Sequence, residues 1–263
     1  MLLKDKIIIV SGIGPGLGVK LATAAAREGV RGLVIAARTA TKLDDAEQRI
    51  RALGADCQLL KLVTDITDRA QCARLVEQAV QRFGRIDALL NSAFAHGGFE
   101  PVAEADLAAW RTLLETNLFG TMNLTQEVAA VMKKQRAGSI AMINTQAVRK
   151  PFAGEAGYAC SKGALAVAVK YLAQELGPHG IRVNSVHMGW MWGAPVQGYV
   201  RHIAAEQGVA EDDIVRRIAA DIPLGHIPTD DDCANAALYL VSDYAKAVTG
   251  ASLDANGGAF MPQ

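Results

Sequence analysis

With 263 residues, 51% of them apolar, the chain is long enough for one large α/β unit or two small ones. Its 27 Lys and Arg balance 27 Asp and Glu, which leaves no basic footprint for nucleic acid or an anionic membrane. No apolar run reaches the roughly 18–20 residues of a membrane span, and the opening MLLKDKIIIV lacks the apolar core and cleavage site of a secretory leader. Cys57, Cys72, Cys160 and Cys233 are scattered without metal-ligand spacing, and the five histidines form no ligand pattern. Free thiols in a cytoplasmic, metal-free protein are expected.

In chain order, apolar strands are predicted at 6–10 (KIIIV), 32–37 (GLVIAA), 58–63 (QLLKLV), 86–91 (IDALLN), 139–144 (SIAMIN), 181–186 (IRVNSV) and 251–256 (ASLDAN). Helical patterns lie between them, over about 17–29, 41–53, 68–83, 104–134, 156–177 and 230–242. Continuous apolar strands separated by helices predict a doubly wound, mostly parallel seven-stranded sheet with helices on both faces. No linker or repeat interrupts 1–263, so a single domain is expected. Residues 187–229 break the alternation with several Gly and Pro and two of the three tryptophans. An insertion beside strand C-terminal ends is a usual place for a substrate pocket.

VSGIGPGLG (10–18) follows the first strand and opens the first helix. Glycines allow a sharp turn and close approach, and a helix N-terminus presents free N–H groups to a pyrophosphate. Leu17 stands where a strict G-x-G-x-x-G would place its third glycine; the spacing that fits is Gly12-x-x-x-Gly16-x-Gly18. The second strand ends Ala36-Ala37-Arg38-Thr39, with no acid before Asp44 to hold a ribose 2′-OH. Arg38 offers a planar fork for a 2′-phosphate, so NADP(H) is expected over NAD(H), although a solvated arginine before a helix would look the same.

Tyr158 and Lys162, in YACSK, stand four residues apart on one helical face. A phenol of pKa about 10 exchanges protons poorly near neutrality, and a nearby ammonium makes it a usable acid and base. Such a pair alone is usually a surface contact. Joined to the glycine loop, the chain length and the strand alternation, it resembles the short-chain dehydrogenase/reductase family in its compact single-domain form, with a Rossmann-like fold. Asp65 after the third strand, Asn91-Ser92-Ala93 after the fourth, Asn117 in the fourth helix, VNSV and the terminal TGASLDANGG fall in the family's order.

The resemblance implies a role for each of these residues. A family serine thirteen residues before the tyrosine corresponds to Thr145, whose hydroxyl keeps the same donor and acceptor capacity. Asn117 would hold a proton-relay water, Lys162 would bind the nicotinamide ribose, Asn91 would support the cofactor cleft and Asp65 would approach the adenine. The usual Asn-Asn-Ala-Gly here ends in Phe94, the usual Pro-Gly is Met188-Gly189, and a threonine often found nearby is replaced around Gly193. Gly189 and Leu17 join the expected cofactor contacts. Phe94, Phe152, Trp190 and Trp192 are candidates for an apolar pocket, with core packing their other reading. The expectation is therefore a reductase or dehydrogenase for a bulky hydrophobic ketone or its secondary alcohol, in a homo-oligomer, commonly a tetramer in this family. An acyl-thioester ketoreductase and a cofactor-binding scaffold without turnover are the alternatives.

Overall fold

The computed structural model describes residues 1–262. Strands β1 (Ile7–Ser11), β2 (Gly32–Ala37), β3 (Gln58–Val63), β4 (Ala88–Asn91), β5 (Gly138–Thr145), β6 (Ile181–Met188) and β7 (Ser252–Ala255) form one sheet in the order β3-β2-β1-β4-β5-β6-β7. Every neighbouring pair is parallel. The winding direction reverses between β1 and β4, and a crevice at such a switch point is where this architecture binds ligands. Ser11 pairs with both Ala36 and Asn91, and Thr145 with Met188, so the loops leaving these strands gather along one edge.

Helices α1 (Leu17–Arg27), α2 (Ala40–Ala52), α3 (Arg69–Phe83), α4 (Leu107–Leu114), α5 (Thr121–Gln135), α6 (Ala156–Leu176), α7 (Ala194–Gln207), α8 (Glu211–Ala220) and α9 (Asp230–Val241) fill the connections. Successive strand residues face opposite sides. Ile8, Val10, Leu33 and Ile35 therefore pack beneath α1, α2 and α9, while Ile9, Val34, Leu89 and Met142 pack beneath α3, α5 and α6. Both faces being covered explains why the central strands read as unbroken apolar runs. β3 lies on the edge and is only half-buried, and its Lys61 reaches back to Asp44 and Glu47 of α2.

Two expectations are corrected. The helix expected over 104–134 is two helices joined through a π-helical turn, Glu115–Gly120. Asp106 caps α4 by accepting the Ala108 amide, which sets its start later than predicted. The insertion expected over 187–229 is not a loop but carries α7 and α8, which share a small core of Val200, Ala204 and Ile214. The Gly and Pro that suggested a loop are its punctuation. Pro195 sits in the first turn of α7, and Gly208 ends that helix at φ +65°. Among the described residues, no helix is long and apolar enough to cross a membrane.

Candidate active site

The glycine loop is shaped first by the protein's own packing. Gly12 has φ +81°, and a Cβ there would lie 2.2 Å from the Ala93 nitrogen. A Cβ on Gly18 would meet the Gly12 carbonyl oxygen at 2.2 Å. Gly16 differs: it is the N-cap of α1, makes no side-chain cap bond, and a Cβ would touch only the Pro195 ring at 3.6 Å. Among the described residues, the Leu17 and Gly18 amides find no protein acceptor, so the first turn of α1 offers free donors at the switch point. This donor set suits a pyrophosphate. The Leu17 side chain itself is buried in the core.

Arg38 is exposed directly after β2. Thr39 is the N-cap of α2, yet its hydroxyl caps nothing, and the first turn holds no acid. Asp65 is turned inward on its own loop, its Oδ1 accepting from the Thr67 amide at 2.9 Å and hydroxyl at 2.8 Å. Asp68 is the N-cap of α3. Asn91 is buried and committed to the sheet, donating to Thr125 Oγ1 at 3.0 Å and to Met142 Sδ at 3.2 Å.

At the reacting end, β5 delivers Thr145 and the first turns of α6 deliver Tyr158 and Lys162. Gly157 makes this docking possible, because a Cβ there would fall 2.7 Å from Trp110 of α4. Lys162 is 2% exposed and donates to the Ile143 carbonyl at 2.8 Å. Burial alone pushes its ammonium down to about 8. Burial, then the Glu155 carboxylate, raises the Tyr158 phenol above its ordinary value, and the neighbouring Thr145 hydroxyl opposes the shift. The Thr145 hydroxyl also accepts from the Ala147 amide at 3.2 Å.

Asn117 sits in the π-helical turn and is fully buried. Its Oδ1 accepts the Ala95 amide at 2.7 Å, and its Nδ2 donates to the Ala95 carbonyl and to Ser161 Oγ, each at 2.8 Å. The side chain thus splints the loop after β4 to α6, so any relay at this residue falls to its backbone carbonyl. Single π-helical turns of this kind are frequent at functional sites.

His187, at the end of β6, is buried between the Thr145 carbonyl and Ser185 Oγ. Burial drives its pKa down to about 4, so it stands neutral beside the site. Gly189 has no room for a side chain, since a Cβ would lie 2.7 Å from Asn256 Cβ and 2.9 Å from Gln146 Oε1. Gly193, at the place of the missing threonine, faces Asp230 Oδ2, which a Cβ would approach to 2.5 Å. Asp230 is buried and paired with Lys20 at 3.6 Å, so this carboxylate fills the space a threonine would need.

A cavity of about 230 Å³ lies between the end of β5 and α8, lined among others by Gln146, Lys150, Phe152, Trp190, Ile218 and Ile222. Phe152 and Trp190 meet edge to face at 6.4 Å, and Tyr199 packs behind Trp190 at 5.4 Å. Phe94 and Trp192 are not among its lining residues. Phe94 is exposed beside the Tyr158 ring at 6.3 Å, and Trp192 packs on the α7–α8 core. Sequence reasoning passed over His96, Glu155 and Gln146. The His96 ring stacks on Tyr158 with centroids 4.6 Å apart, and its Nε2 stands 3.7 Å from Glu155 Oε1. Glu155 was open to detection three residues before Tyr158, but His96 reaches it from a loop without periodicity.

A sheet wound in this order, with a glycine-bounded helix N-terminus on one side of the switch point and the Thr145 and Tyr158 hydroxyls and a buried lysine on the other, defines a dinucleotide-type oxidoreductase fold and site. A family model described as enoyl-(acyl carrier protein) reductase matches residues 12–259. Cyclohexanol dehydrogenase from a Rhodococcus species is 31% identical over 274 residues, with 97% of this chain and 96% of that protein covered. A 3-oxoacyl-(acyl-carrier-protein) reductase from Staphylococcus aureus is 28% identical over 258 residues, covering 97% and 98%. A solved actinorhodin polyketide ketoreductase with NADPH superposes with a TM-score of 0.88 at 28% identity, covering 97% of each chain. The chain belongs to the short-chain dehydrogenase/reductase family, whose members are nicotinamide-dependent oxidoreductases.

Proposed function

We propose that the chain is an NADP(H)-dependent oxidoreductase that interconverts a bulky hydrophobic ketone and its secondary alcohol. The observation that carries this reading is the Thr145 hydroxyl in hydrogen-bonding reach of the Tyr158 phenol, one helical turn before the buried Lys162. The Leu17 and Gly18 amides would hold the pyrophosphate, and Arg38 with the free Thr39 hydroxyl would receive a 2′-phosphate. Lys162 would face the nicotinamide ribose, and the main chain at Gly189 the nicotinamide. When bound, the nicotinamide exchanges a hydride with the substrate carbon.

The chain's own residues handle the oxygen and its proton. Thr145 orients the carbonyl oxygen by donating a hydrogen bond, and Tyr158 gives that oxygen a proton in reduction and takes it back in oxidation. Lys162 stabilises the phenolate left behind and returns a proton to it, and the neutral amine is then reprotonated from a water that the Asn117 backbone carbonyl would hold. Phe152 and Trp190 supply apolar area for the substrate body, and Asn91 and Asn117 keep the cleft walls in register. We take the whole chain as one catalytic unit. Exposed Phe119, Val167 and Tyr171 support self-association through α5 and α6, the π-helical turn included.

A second reading, an acyl-thioester ketoreductase, is favoured by Lys150 and Arg217 at the cavity, which outnumber the Asp221 carboxylate there and suit a substrate with an anionic tail. Initial rates of NADPH and NADH oxidation on bulky ketones and an acyl thioester, with Tyr158→Phe alongside, test both readings. Turnover on the ketones with NADPH preferred is expected. Tyr158→Phe should lose on the order of a hundredfold to ten-thousandfold of it while cofactor binding stays intact. Cofactor binding with no turnover on any substrate would instead mark a scaffold.

A further inference from the structure

We infer that His96 and Glu155 form a charge-tuning pair for Tyr158, with His96 a positioning residue that makes the phenol a better acid while its ring is protonated. This rests on the reading of Tyr158 as the proton donor and acceptor. His96 comes from the loop after β4 and lies nearly parallel to the Tyr158 ring, at 4.6 Å and 29° between planes. Phe99 backs it on another side at 4.9 Å. Glu155, at the cap of α6 and three residues before Tyr158, stands 3.7 Å from the imidazole Nε2, with both side chains two-thirds or more withdrawn from solvent.

The same carboxylate acts on both rings. It raises the Tyr158 phenol, which burial has already raised, and from 3.7 Å it raises the His96 imidazole as well. A neutral imidazole leaves the Glu155 charge uncompensated against a forming phenolate. An imidazolium cancels that charge and places a cation over the phenol face, where an aromatic quadrupole and a phenolate both favour it. Lys162 on α6 is directed at the Ile143 carbonyl, Thr145 on β5 does not titrate, and His187 on β6 is neutral. Glu100, another acid of the loop bearing His96, is turned onto the Asp106 amide. Lys162 also titrates within reach of neutrality, at about 8, but its ammonium is spent on the Ile143 carbonyl, so His96 is the titrating group stacked on the phenol ring itself.

The loop carrying His96 is held for this purpose. The Asn117 side chain clamps Ala95, the residue before it, through both the amide and the carbonyl. Gly97, the residue after it, adopts φ +81° and leaves room for Leu113. The imidazole is thus fixed over the phenol, and its proton inventory enters the reaction without its touching substrate.

The test is the pH profile of kcat/KM for ketone reduction in the wild type, His96→Phe, His96→Gln and Glu155→Gln, with Tyr158→Phe as reference. The wild type should lose on the order of threefold to tenfold as pH rises through an ionisation above 6.5. His96→Phe, which keeps the aromatic stack, and His96→Gln should both lack that step and match the wild-type rate at high pH. Glu155→Gln should keep the step but move it to lower pH, with its high-pH plateau raised because the phenol is relieved of a negative charge. An unchanged profile in His96→Phe, or a step that stays put in Glu155→Gln, overturns the inference. Tyr158→Phe separates the two levels: full activity there defeats the Tyr158 reading itself, whereas the His96 variants alter only the profile.

Discussion

Burying the Lys162 ammonium works against folding. Lowering its pKa from 10.5 to about 8 corresponds to about 3 kcal/mol of destabilisation in the protein without cofactor. The sign follows from which state sheds its proton first. Below pH 8 the lysine is charged in both states and the penalty is complete; between 8 and 10.5 the folded protein deprotonates before the unfolded chain, so the penalty fades. Lys162→Met should therefore raise the unfolding free energy at pH 7 by about 1–3 kcal/mol once its lost bond to Ile143 is counted, seen as a higher urea midpoint, and lose that advantage as pH approaches 10.5. The same variant should turn over at least a hundredfold more slowly. A midpoint that falls at pH 7 would show that the ammonium is better solvated than its surroundings indicate.

At the scale of elements, the docking of α6 on α4 aims the tyrosine. Gly157→Ala forces a methyl to within 2.7 Å of Trp110. Either the indole moves or α6 slides along its axis, at a cost of about 1–3 kcal/mol. Because Tyr158 is the next residue, kcat should drop more than thermal stability implies, with cofactor affinity unchanged; equal losses in both would place the strain elsewhere. Most of these elements were legible in the sequence. β1, β2 and β5 are buried on both faces and so read as apolar runs, and Tyr158, Lys162 and Thr145 are linked by fixed spacings. The helices α7 and α8 were hidden because Gly193, Pro195 and Gly208 mark their boundaries with residues that also mark loops. The stack of His96 on Tyr158 was hidden for another reason. It joins two segments 62 positions apart through a loop shaped by Asn117, and no local pattern encodes it.

For the molecule as a whole, one cation gathers the end of α9 and the approach to β7 onto the sheet. Arg182 at the start of β6 donates to the carbonyls of Leu240 at 2.8 Å, Val248 at 3.1 Å and Ser242 at 2.9 Å. It holds the end of α9 and the approach to β7 together, with Asn184 adding a bond to Val248 at 2.9 Å. Arg182→Met removes charged donors from partly buried acceptors and should lower stability by about 2–4 kcal/mol. If the chain unfolds as a unit, the denaturant slope should not change. A shallower slope would mean that α9 and β7 detach first.

Three separate cores were described above: one under each face of the sheet, and a third of Val200, Ala204 and Ile214 confined to α7 and α8. The first two carry the glycine loop, the hydroxyls and the lysine; the third borders the cavity proposed for the substrate. Substitutions at Val200, Ala204 and Ile214 should act first on the packing of that small core. The architecture thus divides heritable variation into two compartments. Substrate range can drift by repacking two short helices, while the chemistry stays fixed in the sheet, and an engineer wishing to redirect the enzyme would begin with residues 194–220.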